Sequence, residues 1–140
     1  MTYCVAMLLD AGLVFLSDSR TNAGVDQINT FRKATVFERP GDRVIVLLAS
    51  GNLAVTQGTL NLLAERLANQ EGGIANLHSC RNMFEAARCV GDALREMHAR
   101  DGEALRLQGV ALTPSVSSGG QSHGGAPRLL QSYAGGNLVQ

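Results

Sequence analysis

The stretch from Arg43 to Ser50, RVIVLLAS, constrains this chain more than any other. Its apolar run, β-branched at the start, reads as a buried strand, and Gly51-Asn52 ends it. The next two segments are not strands but helical patterns in succession. In the first, Leu53, Leu60, Leu63 and Leu67 fall on one face, and Gln70 to Gly73 closes the segment. In the second, Met83, Ala87, Val90, Leu94 and Met97 alternate four and three apart. Asn82 can cap that helix, and Glu85 completes a capping-box pattern. Gly91 reads as a point of close packing, and Asp101-Gly102 as the end. Two helices in a row exclude the strict strand–helix alternation of a doubly wound sheet.

Strands flank the helices on both sides. YCVAMLL at 3–9 and LVFLSDSR at 13–20 surround the turn signal Asp10-Ala11-Gly12, which predicts a hairpin. Both runs are almost continuously apolar, so both faces are expected to be covered. Residues 21–32 read as a loop, KATVFE at 33–38 as a strand, and Pro40-Gly41-Asp42 as a turn. After the helices, strand-like pieces lie near 105–112, 128–133 and 137–140. Between them SVSSGGQSHGG has the composition of a flexible linker. The order strand–strand–helix–helix–strand–strand predicts an α+β fold, and 140 residues fit one domain, 1–140.

Composition narrows the function classes. Aromatics are only 4% and Trp is absent, so the core must be aliphatic. Twelve basic and twelve acidic residues cancel, and no basic run gives a reason to expect nucleic acid or an anionic membrane. No apolar stretch approaches the roughly 20 residues that span a bilayer. The N-terminus lacks the pattern of a signal peptide, so the expected compartment is the cytoplasm. Cys4, Cys80 and Cys89 are odd in number and unevenly spaced, which suits small buried apolar residues rather than a disulfide framework. His78 and Cys80 lack the second pair that a zinc site needs. His98 reads as a solvated helix residue, and His123 carries no signal. Nucleotide-binding, GxSxG and HExxH motifs are absent, so no metal or cofactor is expected.

Thr2 is the remaining chemical candidate. A small second residue permits removal of Met1, which would place a hydroxyl and a free α-amine on one residue. An α-amine titrates near ~7.7–8, so part of it is neutral at pH 7 and can act as a base. From Thr2 alone, an ordinary terminal residue is the simpler reading. Two more residues change that balance. Asp18 lies within an apolar strand, where a carboxylate is costly unless paired. Lys33 opens a later strand. A buried Asp18–Lys33 pair beside the N-terminus would place positive charge by the Thr2 hydroxyl and help it lose its proton; the same pair could also be purely structural.

TYCVAMLLDAGLVFLSDSRTNAG and FRKATVFERPGDRVIVLLASGNLA resemble the N-terminal half of the bacterial proteasome-related proteins called Anbu, the ancestral β-subunit. MFEAARCVGDALREMHARDGEALRLQG and GGAPRLLQSYAGGNLVQ are similar to that family's second helix and late hairpin. The resemblance implies a four-layer αββα N-terminal nucleophile hydrolase sandwich. It implies Thr2 as nucleophile, Asp18 and Lys33 as its charged neighbours, and Gly51 as donor of the oxyanion-binding N–H. Ser19 and Arg20 match neighbours in the motif. Thr21 and Asn22 match the stretch whose backbone holds an extended substrate. The implied activity is threonine-type peptidase or amide hydrolysis on a peptide or protein substrate, within a homo-oligomeric ring or helix.

Three departures accompany it. Family members are longer, so the expectation is an incomplete domain lacking its C-terminal part. Leu16 is larger than the small residue expected there. The segment around 113–125 is more polar than a core strand should be. The alternative is a non-catalytic or decayed subunit that acts only in assembly.

Overall fold

The computed structural model describes residues 3–22, 28–30, 32–69, 75–107, 115–122, 126–133 and 138–139. Strand β1 (Cys4–Leu9) pairs antiparallel with β2 (Gly12–Ser17), with Leu9 opposite Gly12. The connection is therefore the two-residue turn Asp10-Ala11, and Gly12 takes φ 135°, which costs glycine little. The predicted hairpin is thus present. Strands β3 (Arg20–Asn22) and β4 (Ile28–Thr30) form a second short pair inside the segment expected to be loop. These strands are three residues each and mostly polar, so they carry no alternation; only backbone pairing defines them.

The main sheet has five antiparallel strands in the order β5 (Ala34–Arg39), β6 (Arg43–Ser50), β7 (Ser115–Ser122), β8 (Arg128–Tyr133) and β9 (Leu138–Val139). Strand β6 supplies the core expected of it, with Ile45, Leu47, Leu48 and Ala49 buried. The linker reading of residues 115–122 is corrected. This Ser/Gly stretch is β7, the middle strand, paired with β6 from Arg43↔Ser122 to Ser50↔Ser115. The physical reason is crowding on both faces. A Cβ on Gly119 would lie 2.6 Å from the side chains of Phe15 and Leu129. One on Gly120 would fall against the Val44 carbonyl oxygen, with the Met83 sulfur 3.2 Å away. Neighbouring residues of a strand point to opposite faces. The hairpin, through Phe15, therefore covers one side of β7, and the helices, through Met83, cover the other.

Helix α1 (Leu53–Ala68) starts at Asn52, whose side chain accepts from the Ala54 and Val55 N–H groups at 3.0 and 3.2 Å. Its buried face is Val55, Thr56, Thr59, Leu60 and Leu63; Leu53, expected on that face, is 43% exposed. Periodicity over leucines alone missed the threonines. Thr59 can be buried because its hydroxyl donates to the Val55 carbonyl at 2.7 Å. Helix α2 (Met83–Leu107) buries Met83, Ala87, Val90 and Leu94 as expected. Asn82 accepts from the Glu85 N–H at 2.9 Å, while the Glu85 carboxylate accepts from the Arg81 N–H at 2.8 Å. The helix runs through Asp101-Gly102 to Leu107, so neither the expected end nor a strand beginning at 105 is found. Interior glycine costs a helix only about 1 kcal/mol, which the packed turns before it can offset.

Together β6, β7, α1 and α2 enclose one apolar cluster, to which Leu77 from the interhelical loop adds. The hairpin is different. Its outward residues Met7, Leu9, Val14 and Leu16 are between 42% and 59% exposed. The expectation that both its faces are covered is therefore not met among the described residues. Leu16 points outward, so its size strains nothing here.

Candidate active site

The charged residues singled out in the sequence meet where the hairpin ends. The β1–β2 ladder extends one step beyond Cys4↔Ser17, because the Asp18 N–H donates to the Tyr3 carbonyl at 2.9 Å. This turns the Asp18 carboxylate back onto the start of the chain. Its Oδ1 accepts from the Tyr3 N–H at 3.0 Å and from Lys33 Nζ at 2.7 Å. Asp18 itself stands just after β2, and Lys33 just before β5, each one step outside the strand expected to hold it.

Lys33 is only 5% exposed, and it is the single lysine of the chain beside eleven arginines. A buried ammonium needs acceptors. Lys33 finds two among the described residues: the Asp18 carboxylate, and the Arg20 carbonyl oxygen at 2.8 Å. Its own carbonyl accepts from the Ala49 N–H at 3.0 Å, which fastens it to the far end of β6. Asp18, about a third exposed, is held below the usual carboxylate range by the Lys33 hydrogen bond first and the Tyr3 N–H second. Asp18 is therefore ionised at neutral pH, and its pairing with Lys33 links the chain start, the end of β2, the start of β5 and β6 at one point.

Gly51 follows β6 directly, two residues beyond Ala49, with φ 99°. Only glycine adopts that backbone cheaply, so the turn from strand to helix at residue 51 has a shape that a side chain would resist. The preceding residue is pinned: the Ser50 and Ser115 hydroxyls are 2.8 Å apart across β6 and β7.

Thr2 lies outside the described residues. Ser19 is exposed on the link between β2 and β3. Arg20, Thr21 and Asn22 form β3, where Thr21 stands opposite Asn29 and Asn22 opposite Ile28. The structure thus brings Asp18, Lys33 and the Arg20 backbone together, with Gly51 at the end of the strand that Lys33 grips. Sequence reasoning missed two contributions, both from backbone: the Tyr3 N–H and the Arg20 carbonyl. The second had a signal, since a lone buried lysine needs more acceptors than one carboxylate supplies. The described residues contain no group of three His, Cys, Asp or Glu side chains that could hold a metal ion, and no described helix is long and apolar enough to cross a membrane.

No known family model matches the chain, and no curated protein sequence matches it. Solved structures do. Over 98% of its length the chain is 43% identical to Anbu from Pseudomonas aeruginosa, solved as a helical assembly, with a TM-score of 0.86. Over 97% it is 42% identical to Anbu (ancestral β-subunit) from Yersinia bercovieri, with a TM-score of 0.84. Over 99% it is 43% identical to a mutant Anbu from Hyphomicrobium sp. strain MC1, with a TM-score of 0.86. It spans about 55% of the length of each of these proteins. Identity at this level over 97–99% of the chain makes it similar, along nearly its whole length, to about half of an Anbu subunit.

Proposed function

We propose that this chain carries the reactive end of a proteasome-type threonine hydrolase, with Thr2 as nucleophile once Met1 is removed. The observation that carries the reading is the buried Lys33 ammonium held between the Asp18 carboxylate and the Arg20 carbonyl, with Asp18 also gripping the Tyr3 N–H. Tyr3 is the covalent neighbour of Thr2, so that grip limits how far the nucleophile can wander. An ammonium has three donors. Two are used by Asp18 and Arg20; the reading assigns the third to the Thr2 oxygen, whose alkoxide character it would favour.

In this mechanism the Thr2 hydroxyl oxygen attacks the carbonyl carbon of a peptide bond, and its proton passes to the Thr2 α-amine. The Gly51 N–H accommodates the charge that develops on the carbonyl oxygen. The C–N bond then breaks and the leaving amine takes the proton. Water attacks the resulting ester and frees Thr2. Ser19 and Arg20 would border the substrate, and Thr21 and Asn22 would hold it by backbone pairing. No metal or cofactor enters this scheme. The proposed compartment is the cytoplasm.

The fold reading has a finer part. Helices, five-stranded sheet and hairpin make three layers; the proposal is that a second helical layer completes an αββα sandwich over Met7, Leu9, Val14 and Leu16, within one domain of which residues 1–140 are a part. The helical assembly of the Pseudomonas aeruginosa protein supports homo-oligomerisation. The second reading, an assembly module without turnover, draws on that same open hairpin face: a nucleophile on an uncovered hairpin is poorly fixed. Intact mass and turnover of a short peptide amide separate the two. The hydrolase reading expects loss of Met1 and activity abolished by Thr2→Ala; retained Met1, or turnover unchanged by Thr2→Ala, would overturn it.

A further inference from the structure

Away from the Asp18–Lys33 pair, the helical layer holds two thiols that the hydrolase chemistry does not use. Cys80 lies three residues before α2, in the interhelical loop, and Cys89 lies in the second turn of that helix. Each is 4% exposed, and both line one and the same pocket. Cys80 Sγ also donates to the Asn76 carbonyl at 3.1 Å, and Cys89 Sγ to the Ala75 carbonyl at 3.4 Å. Both sulfurs are therefore fixed over the same short piece of backbone.

The loop is built to hold that arrangement. The Asn76 side chain accepts from the His78 and Ser79 N–H groups at 3.0 and 2.9 Å, which closes a tight turn. From β6, the Arg43 guanidinium donates to the carbonyls of Leu77 and Cys80. Cys80 cannot swing away from Cys89 without breaking these bonds. A pocket of about 310 Å³ reaches both cysteines, lined also by Ser79, Glu85, Arg88 and Asp92. Its mixed charges and small size suit a small neutral oxidant rather than a peptide disulfide.

The two thiols are not equivalent. The neighbouring Cys80 thiol first, aided by Arg66, eases proton loss from Cys89 against the effect of burial. The same contact and burial push Cys80 up. Of the pair, Cys89 thus gives up its proton more readily, and Cys80 is the thiol that answers it.

We propose that Cys80 and Cys89 form a reversible intramolecular disulfide when a hydroperoxide enters this pocket. The Cys89 thiolate attacks the distal peroxide oxygen, the O–O bond breaks, and an alcohol or water leaves with the proton. Cys89 is then a sulfenic acid. The Cys80 sulfur attacks it, loses its proton and displaces hydroxide, which becomes water. Two thiols and one hydroperoxide give one disulfide, one alcohol and one water. A thiol reductant reverses the step. The bond ties the Asn76 turn to α2 and stiffens the helical layer. Cys4 takes no part: burial and the Asp18 charge push its thiol up, and its sulfur contacts the Ala49 carbonyl instead.

The test uses the unmodified chain, a few-fold excess of hydrogen peroxide, alkylation, and non-reducing peptide mapping by mass spectrometry. The expected result is loss of two of the three thiols, a Cys80–Cys89 linkage, Cys4 alkylated, reversal by dithiothreitol and a higher Tm in the oxidised form. Cys80 and Cys89 both alkylated after exposure, or either one linked to Cys4, would overturn the proposal. In Cys80→Ser, Cys89 should accumulate as a sulfenic acid trapped by dimedone. A folded Cys80→Ser chain that yields no adduct would overturn the assignment of Cys89 as the attacking thiolate.

Discussion

The two faces of the five-stranded sheet are built on different terms. On the helical face, Ile45, Leu47, Val55, Leu63, Val90 and Leu94 are all within 1% of complete burial. On the hairpin face, Phe15 packs against Gly119, but the far side of that hairpin leaves Met7, Leu9, Val14 and Leu16 about half exposed. The charged centre sits on the second, less covered side. Apolar packing anchors the helical layer; the hairpin is anchored at its open end by hydrogen bonds that Asp18 accepts from the Tyr3 N–H and from Lys33. Apolar stability and the proposed chemistry thus fall on opposite faces of one sheet.

The largest effect should come from the helical face. Leu94→Ala, at a site with no exposure, should cost about 2–5 kcal/mol in denaturant unfolding. If it costs no more than a surface change, the helical face does not carry the stability. The two adjacent glycines of β7 sharpen the same contrast. Gly120→Ala presses on backbone at Val44 and should cost roughly 2–3 kcal/mol, whereas Gly119→Ala presses on the ends of Phe15 and Leu129 and should cost about 1. Equal costs would mean that the hairpin side is packed as rigidly as the helical side.

Acid should act on the two faces in different windows. His78, in the interhelical loop, has its Nε2 buried with no hydrogen-bond partner among the described residues. Burial first, then Arg39 and Arg43, lower its pKa below 6.5. A group depressed in this way binds its proton more readily when unfolded, so stability is full above pH 6.5 and falls as pH drops below it. Asp18 is lowered from 3.8, so its contribution is complete above that value and is lost only as pH falls further, through its folded pKa. Unfolding midpoints across pH should therefore decline in two stages, and His78→Gln should remove only the upper one. The smallest effect belongs to the outer hairpin face. Leu16→Ser, at 59% exposure, should change stability by less than about 0.5 kcal/mol in this chain. A larger loss would mean that this surface is covered in solution, as the second helical layer or a neighbouring copy would require.

Legibility in the sequence divides along the same line. Apolar period revealed β6 and the buried face of α2, because hydrophobic burial is their main support. The Asp18–Lys33 pair was legible because a carboxylate beside an apolar strand must find a cation. Strand β7 was not, since serine and glycine there answer to crowding from Phe15 and Met83, which are distant in sequence. Strands β3 and β4 were hidden because backbone pairing alone defines them. The grip on Tyr3 and the Arg20 carbonyl were hidden for a related reason: main-chain groups leave no mark on residue identity.

The central claim is that the buried Lys33 ammonium activates the start of the chain. It is tested most directly by labelling the chain with a threonine-directed electrophile and reading intact mass, comparing Lys33→Met with the unchanged protein. An apolar replacement of similar length at a buried charged site is often tolerated by the fold. The account predicts one adduct on Thr2 of the Met1-free chain, and labelling slowed by roughly 10²–10³-fold in a folded Lys33→Met variant. No adduct on the unchanged protein, or equal labelling in the variant, would contradict it.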